Sequence, residues 1–480
     1  MSPGKVPRTA ETQREEVDLL IDGIDWLVTV DKTRRVVRNA GVAIRDGRFV
    51  MVGGADEISR RVVARQRLDG SGTVATPGFV DGHLHSSFQL SRGLADEVNA
   101  NAFLFDRMYP YEGALTEEDV FDSARLAAWE LLRHGVTCFV DPGNYFPSAT
   151  VRACREIGIR VIAAASTFDQ ATSVLGLLPE SMIDSTASAV DRTEDFLEEF
   201  GGPIERGYSA SASFRGLNNS SDELIVKLRN LADQHDTFVQ CHACFSYSTR
   251  DASVSQHGIG EIERLDRLGV LDERMLLIHA GWISPGGFAA ITDRRPSLVA
   301  APSSSFHSGY GNFEVGLMPE LLALGVNVAL GSDHASSGSV DMCREMYLAA
   351  CGYKETRIDA AIMPPETVLE MATIHGARAV RAADDLGSIE VGKLADIVLF
   401  DATAPEWLPL FNPVANLVYS APGSTVRSVV VGGEPVVDNG HLVKVDERGV
   451  RDSAAKAVSR LTGRLDIDGF VALRWPVVGG

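Results

Sequence analysis

The sequence predicts an α/β protein: a (β/α)8 barrel of the TIM type, joined to a small β-sandwich domain built from both ends of the chain. Three observations predict it. Short β-branched runs alternate with helix-period stretches through residues 76–385. A β-rich texture precedes that stretch in residues 1–75 and returns in residues 386–480. The length of 480 residues, with 45% hydrophobic and 7% aromatic side chains, suits a barrel-sized core and a satellite domain.

In chain order, residues 1–16 are charged and polar and read as a loose tail, with no apolar run of the kind that marks a secretion signal. Four β-type runs follow at 17–21, 26–30, 42–44 and 49–52, and Asp46-Gly47 is a hairpin turn signal. In the middle of the chain, eight strand ends are expected: at His85 and at 137–141, 160–166, 207–213, 238–242, 276–279, 298–302 and 326–333. Helix-period stretches lie between them, as at 117–134 and 221–234. Thr116-Glu117-Glu118-Asp119 and Ser220-Ser221-Asp222-Glu223 supply helix N-terminal signals. The β texture resumes at 395–401 and 426–433.

Composition excludes several function classes. The net charge of −20 argues against nucleic acid or an anionic membrane as a partner, and no apolar run reaches membrane-spanning length. Six cysteines stand at 138, 154, 241, 244, 343 and 351. Only Cys241-His242-Ala243-Cys244 has C-x-x-C spacing, and no second such pair completes a structural zinc site. The pattern suits a reduced, cytoplasmic protein acting on a small molecule.

The chemistry starts at Thr76-Pro77-Gly78-Phe79-Val80-Asp81-Gly82-His83-Leu84-His85. In a strand, period two puts His83 and His85 on one face, where two imidazoles can grip one divalent ion. His242 ends the run Phe238-Val239-Gln240-Cys241, His279 ends Met275-Leu276-Leu277-Ile278, and Asp333 ends the run that starts at Val326. Alone, each histidine also reads as a packed core residue and Asp333 as a helix cap. Together they fall at strand C-termini, where a barrel gathers residues distant in sequence. Three imidazoles and a carboxylate suit one divalent metal ion: zinc first, with iron, cobalt or manganese acceptable. Asp333 could then take a proton from a metal-activated water, and His279 could hydrogen-bond the developing oxyanion or the nucleophile.

The chain resembles the amidohydrolase superfamily, in its cytosine-deaminase-like and triazine-hydrolase-like branch. The resemblance lies in Pro77 to His85, Gly331-Ser332-Asp333, Ala372-Thr373-Ile374-His375-Gly376-Ala377-Arg378-Ala379, and Gly387 to Leu399. It implies His83, His85, His242 and Asp333 as metal ligands, His279 as a catalytic partner, and a homo-oligomer. Two departures narrow it. Deaminases of this branch carry His-x-x-Glu after strand 5, where the Glu shuttles a proton to a ring nitrogen; here the position is Phe245. The stretch 207–213 also has no lysine to bridge two metals, so one ion is expected. The resulting expectation is a hydrolase of non-peptide C–N bonds in small amides, ureas, carbamates or thiocarbamates. Water would attack the carbonyl carbon, and the phenylurea and molinate hydrolase subgroup would be nearest. The alternative is a deaminase of a cytosine-, purine- or triazine-like heterocycle, which requires another acid, such as Glu97 or Asp106, to reach in. A third possibility is a non-catalytic barrel, against which the intact ligand set speaks.

For substrate contacts, Phe88, Phe103, Phe105, Tyr109 and Tyr111 follow the first barrel strand, and Phe245 and Trp282 follow the fifth and sixth. Ser303, Ser304, Ser305 and His307 follow the seventh, in a stretch loosened by Gly309 and Gly311. Arg215 and Asn144 lie beyond the fourth and second and could orient a polar group; a surface ion pair and a turn are the plainer readings. Alternation puts Cys241 on the face opposite His242, as core.

Overall fold

The computed structural model describes residues 14–471 and Trp475. Most of the expected tail lies outside the described residues, but its last part does not. Glu15 and Glu16 open β1 (Glu15–Val28), paired in parallel with Val62 and Val63. The two runs expected at 17–21 and 26–30 are one strand, with a register shift between Ile21 and Ile24. β2 (Val36–Arg45) and β3 (Arg48–Gly54) join through Asp46 and Gly47, whose φ angles of 51° and 73° make the turn that matches strand twist. β4 (Val62–Asp69) has no counterpart in the expected runs, because only Val62 of its eight residues is buried. The fully buried β5 (Thr73–Pro77) leads into the barrel.

Eight parallel strands form the barrel. The first three are β6 (Phe79–Asp81), β7 (Val136–Val140) and β8 (Arg160–Ala163). A small hairpin, β9 (Thr172–Ser173) and β10 (Gly176–Leu177), follows them. The fourth barrel strand comes in two pieces, β11 (Tyr208–Ala210) and β12 (Ala212–Gly216). The remaining four are β13 (Val239–Ala243), β14 (Met275–His279), β15 (Ser297–Ala300) and β16 (Val328–Leu330). The break at Ser211 divides the barrel into two arcs, β6-β7-β8-β11 and β12 to β16. Ser211 N–H donates to Ala163 O and Ala212 N–H to Phe238 O, so the broken strand still bridges both arcs. The other seam is joined by Gly82 N–H to Leu330 O and Asp333 N–H to His83 O, each at 2.8 Å.

Side chains alternate as a barrel requires. Val80, Val140, Ile162, Ile278, Val299 and Ala329 share one apolar cluster. Their neighbours Phe79, Phe139, Val161, Leu277, Leu298 and Val328 belong to a second, shared with the helices outside. The helix Glu117–Arg133 starts on a capping box between Thr116 and Asp119, and Asp222–Gln234 starts on Ser221.

After the barrel come β17 (Ile397–Asp401), β18 (Val426–Val431), β19 (Glu434–Asp438) and β20 (His441–Leu442). The terminal β-domain is one continuous nine-stranded sheet, because β5 pairs with both β1 and β17. Its two halves share a core: Leu19, Ile21 and Phe49 from the first, Ile397, Leu399 and Val430 from the second. No helix among the described residues is long and apolar enough to cross a membrane.

Sheet and barrel are tied by a buried ion pair. Arg160, on β8, donates from Nε and Nη2 to the two Asp396 carboxylate oxygens at 2.9 and 3.0 Å, and both side chains are at most 4% exposed. Asp396 also accepts from Gly432 N–H at 2.7 Å, at the end of β18. Removing one partner leaves the other charge buried and unpaired. Arg160→Leu should therefore cost about 3–5 kcal/mol in urea unfolding, and a loss under about 1 kcal/mol would show that the pair does not hold the two parts together.

Candidate metal centre and cleft

Backbone pairing across the seam between β6 and β16 builds the site. Asp333 N–H donates to His83 O at 2.8 Å and His85 N–H to Asp333 O at 2.7 Å. The two histidines and the aspartate thus leave neighbouring strand ends side by side. His242 ends β13, three strands before β16 in ring order, and its ring reaches the same point. His83 Nε2 lies 3.1 Å from Asp333 Oδ1, and His85 Nε2 lies 3.1 Å from His242 Nε2. All four candidate ligand atoms fall within 4.8 Å of one another. Ligands about 2.0–2.1 Å from a tetrahedral ion sit roughly 3.3 Å apart, so the spacing fits one ion.

Protonation suits the same role. His242 Nδ1–H donates to Arg215 O at 2.7 Å, which leaves Nε2 unprotonated and facing its neighbours. Burial holds His85 and His242 well below the usual imidazole range, and nearby Arg215 and the other histidines act in the same direction. Burial opposes ionisation of Asp333, but His334, His83 and His279 beside it prevail and keep it a carboxylate. The donor set therefore offers the uncharged nitrogens of His85 and His242 and one anionic oxygen, beside the His83 ring, which suits a divalent metal.

Asp333 faces two ways. Oδ1 points at His83 and, at 3.7 Å, at His85; Oδ2 lies 3.7 Å from His279 Nε2 and 3.6 Å from His334 Nε2. One oxygen can hold an ion while the other exchanges protons with imidazoles. Burial pushes the His279 ring down to about 4, so at neutral pH it is an uncharged hydrogen-bonding group. Four residues at these strand ends adopt positive φ: Cys244 (50°), His279 (72°), Ala280 (41°) and Asp333 (65°). Such strain in non-glycine residues collects where side chains must be aimed.

A cleft opens over these residues. Phe88, Phe103, Leu104, Phe105, Tyr109, Phe245 and Tyr310 supply apolar and aromatic walls; Arg215, Asn218, Asn219, Thr249 and Glu261 make a polar side. Phe245 sits between His279 and Tyr310, with ring centroids 5.7 and 5.4 Å away. Arg215 is no surface residue. It is 3% exposed, lines the cleft, and its Nη1 donates to Glu112 Oε1 at 2.7 Å.

Several expected contacts stand away from this cleft, Ser303, Ser304 and Ser305 among them. Trp282 turns outward: its Nε1–H donates to Tyr310 O at 2.7 Å and its ring meets Tyr247. His307 pairs with Asp96 at 3.1 Å on the outer side of its helix. Asn144 is the turn before the helix Pro147–Ile157: its Oδ1 accepts from Phe146 N–H and its Nδ2 donates to Thr150. Tyr111 is buried under the loop, donating to Ser87 O, and is not a wall. Glu97 and Asp106 are exposed and line nothing in the cleft. The unforeseen members include His334, Tyr310, Leu104, Asn218, Asn219, Thr249 and Glu261. Of these only His334, directly after Asp333, carried a usable sequence signal.

Residues 74–436 match the amidohydrolase family, and the chain belongs to it. It is similar to the 5′-deoxyadenosine deaminase of Methanopyrus kandleri, 30% identical over 431 residues that cover 89% of this chain and 96% of the relative. It is similar to the 5-methylthioadenosine/S-adenosylhomocysteine deaminase of Syntrophobacter fumaroxidans, 30% identical over 433 residues, covering 89% and 95%. Its fold superposes on an adenosine deaminase from Xanthomonas campestris with bound zinc, with a TM-score of 0.85 and 27% identity, covering 94% of this chain and all of that one. The chain is a metal-dependent amidohydrolase acting on C–N bonds. The phenylurea and carbamate expectation finds no support in these relatives, which are deaminases.

Replacing His85 or His242 by alanine should lower bound divalent metal, measured by elemental analysis of protein purified without chelator, from near one per chain to below about one fifth. Full metal content in either variant would remove that residue from the ligand set.

Proposed function

We propose that this chain deaminates a nitrogen heterocycle of the purine type, replacing an exocyclic amine by oxygen and releasing ammonia. One observation carries the reading: the ligand cluster lies at the floor of a cleft walled by aromatic rings, in a chain similar over most of its length to deaminases of adenine nucleosides. A flat, largely apolar ring fits between Phe88, Phe105, Tyr109, Phe245 and Tyr310.

In this reading His83, His85, His242 and Asp333 hold one zinc ion, which when bound lowers the pKa of water and acts as a Lewis acid. Asp333 Oδ2, beside His279 and His334, takes the proton that the attacking water loses and passes it to the departing amine. His279, uncharged, hydrogen-bonds the oxygen as charge develops on it. The aromatic walls and the low exposure of the floor keep bulk water out.

A second reading keeps one specific observation in its favour. Phe245 occupies the place where ring deaminases of this branch carry a proton-shuttling Glu. Hydrolysis of a linear amide, urea or carbamate needs no ring nitrogen protonated.

One assay separates the two. Metal-loaded protein is offered 5′-deoxyadenosine, adenosine, cytosine and an aminotriazine, with ammonia measured, and a phenylurea and an aryl carbamate, with amine measured. Ammonia from a purine ring, abolished by chelator and restored by zinc, is expected; amine release with no ammonia from any ring would overturn the deaminase reading. Asp333→Asn should lower kcat by about 10²–10⁴-fold, more than it lowers metal content. Retained turnover would remove Asp333 from proton transfer.

A further inference from the structure

We propose that Glu261 supplies the carboxylic acid that the segment after β13 lacks, giving its proton to a ring nitrogen of the substrate. The proposal rests on the deaminase reading. Among the described residues that line the cleft, only Asp333 and Glu261 carry carboxyl groups. Asp333 is engaged with His83 and His279, so Glu261 is the one left.

Its position is apt. Glu261 opens the helix Glu261–Arg267, sixteen positions beyond Phe245, yet its side chain turns back to the β13 exit. Oε2 accepts from Cys244 N–H at 2.5 Å, one residue before Phe245, and Oε1 accepts from Asn218 Nδ2 at 3.1 Å. The carboxyl is thus pinned between two cleft walls, the loops after β12 and β13. Asn218 Oδ1 beside it is buried with no partner among the described residues. Glu261 itself is 2% exposed. Burial raises its pKa above the usual carboxylate value, against the hydrogen bonds from Cys244 and Asn218 and nearby Arg264, which pull the other way. The two phenols of the cleft, Tyr109 and Tyr310, are both pushed up by burial, Tyr109 to about 12, and are poor acids at neutral pH.

The step balances. The Glu261 carboxylic acid protonates the ring nitrogen while the water oxygen bonds to the adjacent carbon and Asp333 takes one water proton. The carbon–amine bond breaks as Asp333 returns that proton, releasing ammonia. The remaining hydroxyl proton passes to the Glu261 carboxylate as the carbonyl forms. The ring keeps an N–H, and both carboxyl groups regain their starting states.

The test compares wild type, Glu261→Gln and Glu261→Asp on the ring that the wild type deaminates, with metal content and melting temperature measured for each. Glu261→Gln should keep its metal and lower kcat by about 100-fold or more, and Glu261→Asp should retain at least about tenfold more activity than Glu261→Gln. A kcat for Glu261→Gln within threefold of wild type, or equal loss in both variants, overturns the assignment. Metal loss or early melting in both variants makes Glu261 structural and overturns it too. If the wild type releases no ammonia from any ring, the deaminase reading fails first and this assignment falls with it.

Discussion

Two backbone hydrogen bonds between strands at opposite ends of the barrel sequence decide where the chemistry is. Asp333, 250 positions beyond His83, donates one to His83 O and accepts the other from His85 N–H across the seam between β16 and β6. A parallel barrel has no free edge, so its first and last strands must meet. That meeting puts a carboxylate beside two imidazoles without any local sequence motif to do it. The third imidazole arrives by the same geometry, since His242 ends a strand in the same ring. Burial keeps the His85 and His242 rings neutral, and the imidazoles beside Asp333 keep it ionised against burial, as a divalent ion requires.

The residues around this centre divide by direction. Asp333 Oδ1 faces His83 and His85 and Oδ2 faces His279 and His334, so the two oxygens of one carboxylate meet different partners. Arg215 holds the second layer together. Its carbonyl fixes the His242 ring and its guanidinium is buried against Glu112, so one residue near the end of β12 orients that ring and walls the cleft at once. The strained backbone at His279, Asp333 and Cys244 is local cost offset by the rest of the barrel.

Much of this was legible in the sequence for a physical reason. Barrel strands are buried on both faces, so they read as β-branched runs, and polar residues that terminate them stand out; His83, His85, His242, His279 and Asp333 were all visible that way. What was hidden depends on where side chains turn after the strand ends. Asn144 and Trp282 follow strand ends, whereas Arg215 lies within β12; Asn144 bonds to its own turn at Phe146 and Trp282 to Tyr310 in the segment after the helix Pro302–Ser308, and neither lines the cleft. Glu261 was invisible because it returns from a helix beyond the loop it serves. β4 escaped because an exposed strand lacks the apolar alternation that announces one. The break at Ser211 left no mark because small residues on either side suit strand and bend alike. The expectation drawn from Phe245, that ring deamination is disfavoured, runs against the relatives, which are deaminases, and the cleft carries a carboxyl from elsewhere, Glu261.

The most direct test of the central claim, that His83, His85, His242 and Asp333 close around one ion, is X-ray absorption at the metal edge of protein loaded with one equivalent of zinc. Light scatterers at about 2.0–2.1 Å, fitted with three imidazole rings and no sulfur, are what the geometry requires. A sulfur at about 2.3 Å, or a second metal within about 4 Å, would contradict it.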